Sequence, residues 1–403
     1  MVMWQPVRIV RDSPQRGGET VTAKAGASSG PQEVSEMDAT RLDRNAGQRF
    51  RGRLASACEA APGTVVVRAK VSQTEGGVAG PLVDADAVGS AVGWLGDLNH
   101  DQGIDLAVGA PGDDTGSGGG ERGAVWILFR DAGGALVESR KIASGEAGFH
   151  GLLRDGDEFG TALAPLGDLD GDGNGDLLVG AIGDDDGGLR CGAVWVLFLR
   201  TDGTVRAHQK ISNAAGGMGA SLDPGDRFGS AACPVGDLDG DGIVDVAVGA
   251  PGDDDGGSDR GAVWVLFLRE NGTVRASRKI SALSGGFAGG LADGVQFGSA
   301  VTMLPGQPDP LLAVGAPKDP DGGLERGGVW LLEVSSDGRV QDEWKISSDT
   351  GGFDGPLRDG DRFGRAVAPI ADLENDGHPD LAVGAYRDAD GGPNRGAVWI
   401  LLL

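Results

Sequence analysis

Four short acidic runs carry residue types and spacings that could do chemistry. The fullest is Asp168, Asp170, Asp172, Asn174 and Asp176, at places one, three, five, seven and nine, with Gly173 at place six. Asp237, Asp239, Asp241, Ile243 and Asp245 repeat it. Asp97, Asn99, Asp101, Gly103 and Asp105 repeat it with an amide at place three and Gln102 where the glycine stood. Asp372, Glu374, Asp376, His378 and Asp380 repeat it with a glutamate at place three. A hard cation such as calcium takes six to eight oxygens, and alternate residues of a tight loop can aim oxygens at one point. Side chains one, three, five and nine would supply most of them, and residue seven its backbone carbonyl. Glycine at place six permits a turn that a Cβ resists. Asp and Gly also dominate ordinary turns, so a single run is a modest signal. Four in register point to four calcium sites. An EF-hand loop starts the same way but ends on a glutamate at place twelve. Val179 and Val248 stand there instead, inside apolar runs, so each loop leads into a strand.

Something must hold these loops in register, and the sequence around them repeats. Lys70, Lys141, Lys210, Lys279 and Lys345 each precede Val or Ile, at intervals of 71, 69, 69 and 66 residues. Trp126, Trp195, Trp264, Trp330 and Trp399 each end a Gly-x-Val-Trp run. Phe159-Gly160, Phe228-Gly229, Phe297-Gly298 and Phe363-Gly364 mark a third point, with Val88-Gly89 as the first copy. The fourth copy is shorter within its acidic loop, reading Pro305-Gly306-Gln307-Pro308-Asp309-Pro310, and no metal is expected there.

Each copy reads as four strands. Small residues follow Phe-Gly; the acidic loop and a run such as Asp245–Ala250 come next; Gly261–Leu268 is apolar without alternation; and Thr273–Ile280 alternates after an Asn271-Gly272 turn. A continuous apolar strand is buried on both faces, and Asn-Gly between apolar runs signals a hairpin. Four-stranded units of about 70 residues in tandem are the pattern of a β-propeller. The expected fold is all-β, five four-stranded blades. The repeat region ends on a third strand and begins with a fourth-strand sequence at 63–72, so that segment is expected to complete the last blade and close the ring. The expected boundaries are a flexible tail over 1–60 and the propeller over 61–403.

Phe-Gly, the acidic loop, and then Gly109-Ala110-Pro111, Gly249-Ala250-Pro251 or Gly315-Ala316-Pro317 resemble FG-GAP repeats, as in the N-terminal propeller of integrin α subunits. The resemblance implies calcium in the hairpin between strands one and two, and an extracellular or cell-surface setting. Five blades instead of seven, Ile182 and Tyr386 at the Gly-Ala-Pro place, and no following legs or membrane helix depart from the integrin pattern.

The chain has 403 residues, 75 of them Gly, and a formal net charge of −25. Such acidity argues against nucleic acid and anionic membrane surfaces as partners. No apolar run is long enough to insert in a membrane as a helix, and no leader is read at Met1–Arg11. Cys58, Cys191 and Cys233 form no disulfide framework. Gly26–Gly30 matches GxSxG and Gly118–Gly123 matches GxGxxG, but neither has the strand and helix its chemistry needs. His100, His150, His208 and His378 are scattered, and Tyr386 is the single tyrosine. The expected function is therefore a non-catalytic module binding a protein or glycan ligand. A propeller-class hydrolase or lyase, or a spacer within a larger surface protein, is the alternative. Phe149, Phe287 and Phe353, in the connections between blades, read either as part of a binding surface or as plugs between blades.

Overall fold

The computed structural model describes residues 70, 72, 82–114, 120–305 and 311–403. The expected tail, the GxSxG match, most of the closing strand over 63–72, residues 118–119 of the glycine motif and residues 306–310 of the fourth hairpin lie outside the described residues. The architecture is an all-β, five-blade propeller of antiparallel sheets. The first blade is β1 (Val92–Gly96), β2 (Asp105–Ala110), β3 (Ala124–Arg130) and β4 (Leu136–Ile142). The second is β5 (Phe159–Gly167), β6 (Asp176–Ala181), β7 (Ala193–Leu199) and β8 (Val205–Ile211). The third is β9 (Ala231–Gly236), β10 (Asp245–Ala250), β11 (Ala262–Leu268) and β12 (Val274–Ile280). The fourth is β13 (Ala300–Leu304), β14 (Leu311–Ala316), β15 (Gly328–Val334) and β16 (Val340–Ser347). In the fifth, β17 (Phe363–Ile370), β18 (Asp380–Ala385) and β19 (Ala397–Leu401) are described.

The core lies between blades. One cluster joins Val263, Val265 and Phe267 of the third blade to Val301, Leu312 and Trp330 of the fourth. Another joins Val194 and Val196 of the second to Phe228, Val246 and Trp264 of the third. Both faces of the third strand are thus apolar because each meets a different sheet, and β7 and β11 are buried throughout.

The Phe-Gly pair makes the seam. Phe228 is fully buried, and its amide donates to the Cys191 carbonyl of the preceding blade at 3.0 Å. Gly229 has φ +94, and a Cβ there would lie 2.5 Å from the Ala193 carbonyl oxygen. Only glycine lets the two backbones approach so closely at that φ. Phe149 and Phe287 are plugs rather than surface: each stacks on the seam phenylalanine at 5.2 Å and meets the tryptophan of its own blade edge-on. The expected alternation of the fourth strand is broken by a bulge. Phe267 pairs with Ala276 and Leu268 with Val274, so Arg275 is the extra residue and Ala276 turns out to solvent.

Candidate metal centre

Each acidic loop is the hairpin between the first and second strands, and backbone amides shape it. Asp237 accepts from the amides of Gly240, Asp241 and Gly242 at 2.8, 3.0 and 2.8 Å. Asp97 and Asp372 do the same for places five and six of their loops, and Asp168 accepts from Gly173. The carboxylate at place five then accepts the amide of residue seven: Asn174 on Asp172, Ile243 on Asp241, Gly103 on Asp101, His378 on Asp376. Place six has positive φ throughout: +91 at Gly173, +89 at Gly242 and +99 at Gly377, and +73 at Gln102, where a side chain must bear it.

Place nine is the buried anchor. Asp176 accepts from the Leu169 amide at 2.9 Å and from the Leu199 amide of the third strand at 3.2 Å, so one carboxylate ties the loop to the sheet. Asp245, Asp105 and Asp380 make the same two bonds in their blades. Burial, and then the nearby Asp170 and Asp172 charges, push the Asp176 carboxyl up to about 7 against its two amide donors. Burial likewise raises Asp245 to about 6. A cation beside such a group would restore its charge.

The structure brings together Asp168, Asp170 and Asp176, and separately Asp237, Asp239 and Asp245, with one oxygen from each within 4.8 Å of the others. One oxygen of Asp170 is buried without a hydrogen-bond partner. Among the described residues no such triad forms from Asp97, Asp101 and Asp105, or from Asp372, Glu374, Asp376 and Asp380. In the fourth blade Leu311 replaces the place-nine aspartate and begins β14.

Two sets of charged residues escaped the reading of the sequence. Arg206 reaches Asp170 with one guanidinium nitrogen and Asp172 at 3.1 Å with another; Arg275 contacts Asp239, and Asp241 at 3.1 Å. Their signal was a constant offset, since both arginines lie 36 residues beyond the place-three aspartate. On the loops after the second strand, the landmark lysines neutralise buried aspartates. Lys210 lies 2.6 Å from Asp184 and 2.5 Å from Asp186, and Lys345 lies 2.8 Å from Asp319 and 2.7 Å from Asp321. Each also sits over its paired tryptophan, Lys210 at 5.4 Å and Lys345 at 5.3 Å. These acidic loops are internally paired and are not open carboxylate clusters.

Residues 228–266 and 363–401 match the FG-GAP repeat. The chain is 34% identical over 155 residues to integrin alpha-4 of Xenopus laevis, covering 38% of this chain and 13% of that protein. It is 32% identical over 169 residues to phosphatidylinositol-glycan-specific phospholipase D of Bos taurus, covering 40% of this chain and 19% of that protein. The human phospholipase D is 31% identical over 204 residues, which is 48% of this chain and 23% of that protein. The chain therefore spans less than a quarter of the length of these relatives. Among the described residues no helix is long and apolar enough to cross a membrane.

Proposed function

We propose that the chain is a calcium-binding β-propeller acting as a non-catalytic, extracellular module that binds a protein or glycan ligand. The observation that supports it is the convergence of three carboxylates in each of two hairpins, at the sequence places an oxygen-ligated cation needs. The ligands in the second blade are Asp168, Asp170, Asp172, Asp176 and the Asn174 carbonyl. In the third they are Asp237, Asp239, Asp241, Asp245 and the Ile243 carbonyl. The looser loops at 97–105 and 372–380 take calcium with the same places, their ligands gathering around the ion. The ion offsets carboxylate repulsion that costs on the order of 1 kcal/mol per pair in water and about 4 at an effective dielectric of 20. Its role is structural, because each loop is self-contained and lies within one hairpin.

The test is thermal unfolding with millimolar calcium and with EDTA. At twenty times the dissociation constant each site adds about 1.8 kcal/mol, by the logarithm of one plus that ratio. Calcium is expected to raise the midpoint, and Asp172→Ala with Asp241→Ala to remove about half of the rise. No rise leaves the loops as plain acidic turns. The likeness to a phospholipase D keeps a hydrolase-associated role as the second reading. Turnover of a glycosylated inositol phospholipid by the purified chain would favour that reading; none across a substrate panel favours the binding module.

A further inference from the structure

We propose that Arg206 and Arg275 are resident counter-ions of the two four-aspartate loops, and that a divalent cation has to displace them. This rests on the calcium reading of those loops and adds what regulates their affinity. The placement is specific. Each arginine is the extra residue of the bulge in the fourth strand, where Phe198 pairs with Ala207 and Leu199 with Val205, and Phe267 pairs with Ala276 and Leu268 with Val274. A bulge re-aims its side chain, and here it turns the guanidinium from the outermost strand back over the hairpin of its own blade. Each guanidinium also lies over a third-strand phenylalanine: its carbon is 5.7 Å from the Phe198 ring centre in Arg206 and 5.9 Å from that of Phe267 in Arg275. Arg206 then takes the carboxylates at places three and five with two guanidinium nitrogens, and Arg275 takes both with one.

The same bulge occurs in the first and fourth blades without an arginine. Val137 occupies it beside the loop that has Asn99 in place of an aspartate, and Gln341 occupies it where Leu311 replaces the place-nine aspartate. So the described bulges carry a cation only where the hairpin carries four aspartates. A guanidinium on places three and five lowers the charge a calcium ion sees, and the two cations repel at short range. The empty hairpin gains from the arginine what the filled one loses. Calcium affinity is therefore set weaker than the carboxylates alone would give, while the metal-free blade keeps its shape.

Calorimetric titration of calcium into the full chain tests this, with Asp101→Ala and Asp376→Ala silencing the outer loops. In that background Arg206→Gln with Arg275→Gln is expected to tighten calcium binding roughly two- to fivefold per loop, from the modest worth of a partly exposed ion pair. The same variant is expected to unfold at a lower temperature in EDTA and to show a larger calcium-induced rise. Arg206→Lys with Arg275→Lys keeps the charge and is expected to stay near the native affinity, so tightening seen with glutamine and not with lysine is assigned to the lost charge, provided the glutamine variant shows the native cooperative unfolding in calcium. If the native background binds calcium and the glutamine variant binds it equally or more weakly, the calcium reading stands and the counter-ion inference is overturned. If neither binds calcium, both are overturned.

Discussion

The third and fifth blades have nearly the same sequence in their third strands and very different surroundings. Val263 and Val265 of β11 are 0% and 1% exposed, whereas Val398 and Ile400 at the same places of β19 are 69% and 51% exposed. In the third blade those side chains face the fourth blade, and β12 covers the outer edge. On the first blade the mirror-image face is also bare, with Val92 at 59% and Trp94 at 69%. A strand that is apolar on both faces is stable only when both neighbours are supplied, so the seam between consecutive blades is the unit of stability. The blade by itself is not.

The largest effect that separates the two regions is at the seam plug. Phe297 is fully buried and stacked on Phe287, and Phe297→Ala is expected to cost about 3–5 kcal/mol in urea unfolding. Val88 holds the same place at the start of the first blade and is only half-buried, so Val88→Ala is expected to cost under about 1 kcal/mol. Equal losses would mean that the first blade is plugged as firmly as the fourth, and the comparison would fail.

The lysine pairs sharpen the same contrast. Lys279 lies 2.5 Å from Asp253 and 2.9 Å from Asp255, and Asp253 is almost fully buried. Removing one partner of such a pair strands a charge in the interior at a cost of about 3 kcal/mol, less whatever Asp253 recovers by taking up a proton. Lys279→Met is therefore expected to cost about 2 kcal/mol. In the fifth blade Asp388 is equally buried, and Asp390 pairs with Arg358 at 2.8 Å. The repeat assigns Lys70 to that position, opposite Trp399, as Lys279 stands opposite Trp264. Lys70→Met is expected to destabilise as Lys279→Met does if segment 63–72 completes the fifth sheet. A neutral result would remove that segment from the fifth blade.

Much of this was legible in the chain. The Gly-x-Val-Trp run and the Lys-Ile pair lie opposite each other in the sheet, with Val263 against Ile280 and Trp264 against Lys279, so their fixed spacing carried the strand order. The Asp places one, three and nine announced the two triads. The fourth-strand alternation was misleading at Ala276, because one extra residue in a bulge reverses every face beyond it. The arginines were hidden for the same reason. They lie two strands away from the loops they touch, and only the bulge turns them there. The pairing of the Asp184–Asp186 loop is not visible in its own run of sequence, because the lysine that neutralises Asp186 comes 24 residues later, across two strands.

A third carboxylate set separates the blades by pH. Asp226 sits one residue after Gly225, just before the Phe228 plug, and accepts the Asp223 amide at 2.8 Å. Burial, and then the Asp253 charge, push its carboxyl up to about 7, with Lys279 and the Asp223 amide opposing. Asp157 in the second blade is raised to about 6 by burial and Asp184. The fourth blade has Val295 there, fully buried. An unfolded aspartate titrates near 3.9. Between about pH 4 and 7 the folded chain therefore holds a proton at Asp226 that the unfolded chain has lost, and stability falls as pH rises through that window. Asp226→Asn keeps an acceptor for the Asp223 amide and removes the titration. Urea unfolding at pH 5 and pH 8, in calcium so that the metal loops stay charged, is expected to show a smaller loss for the variant. Asp157 leaves a residual slope in both, and the difference between the two slopes is the share that belongs to Asp226. Identical slopes would show that Asp226 is already ionised at pH 5, held so by Lys279, and that the lysine outweighs burial at this seam.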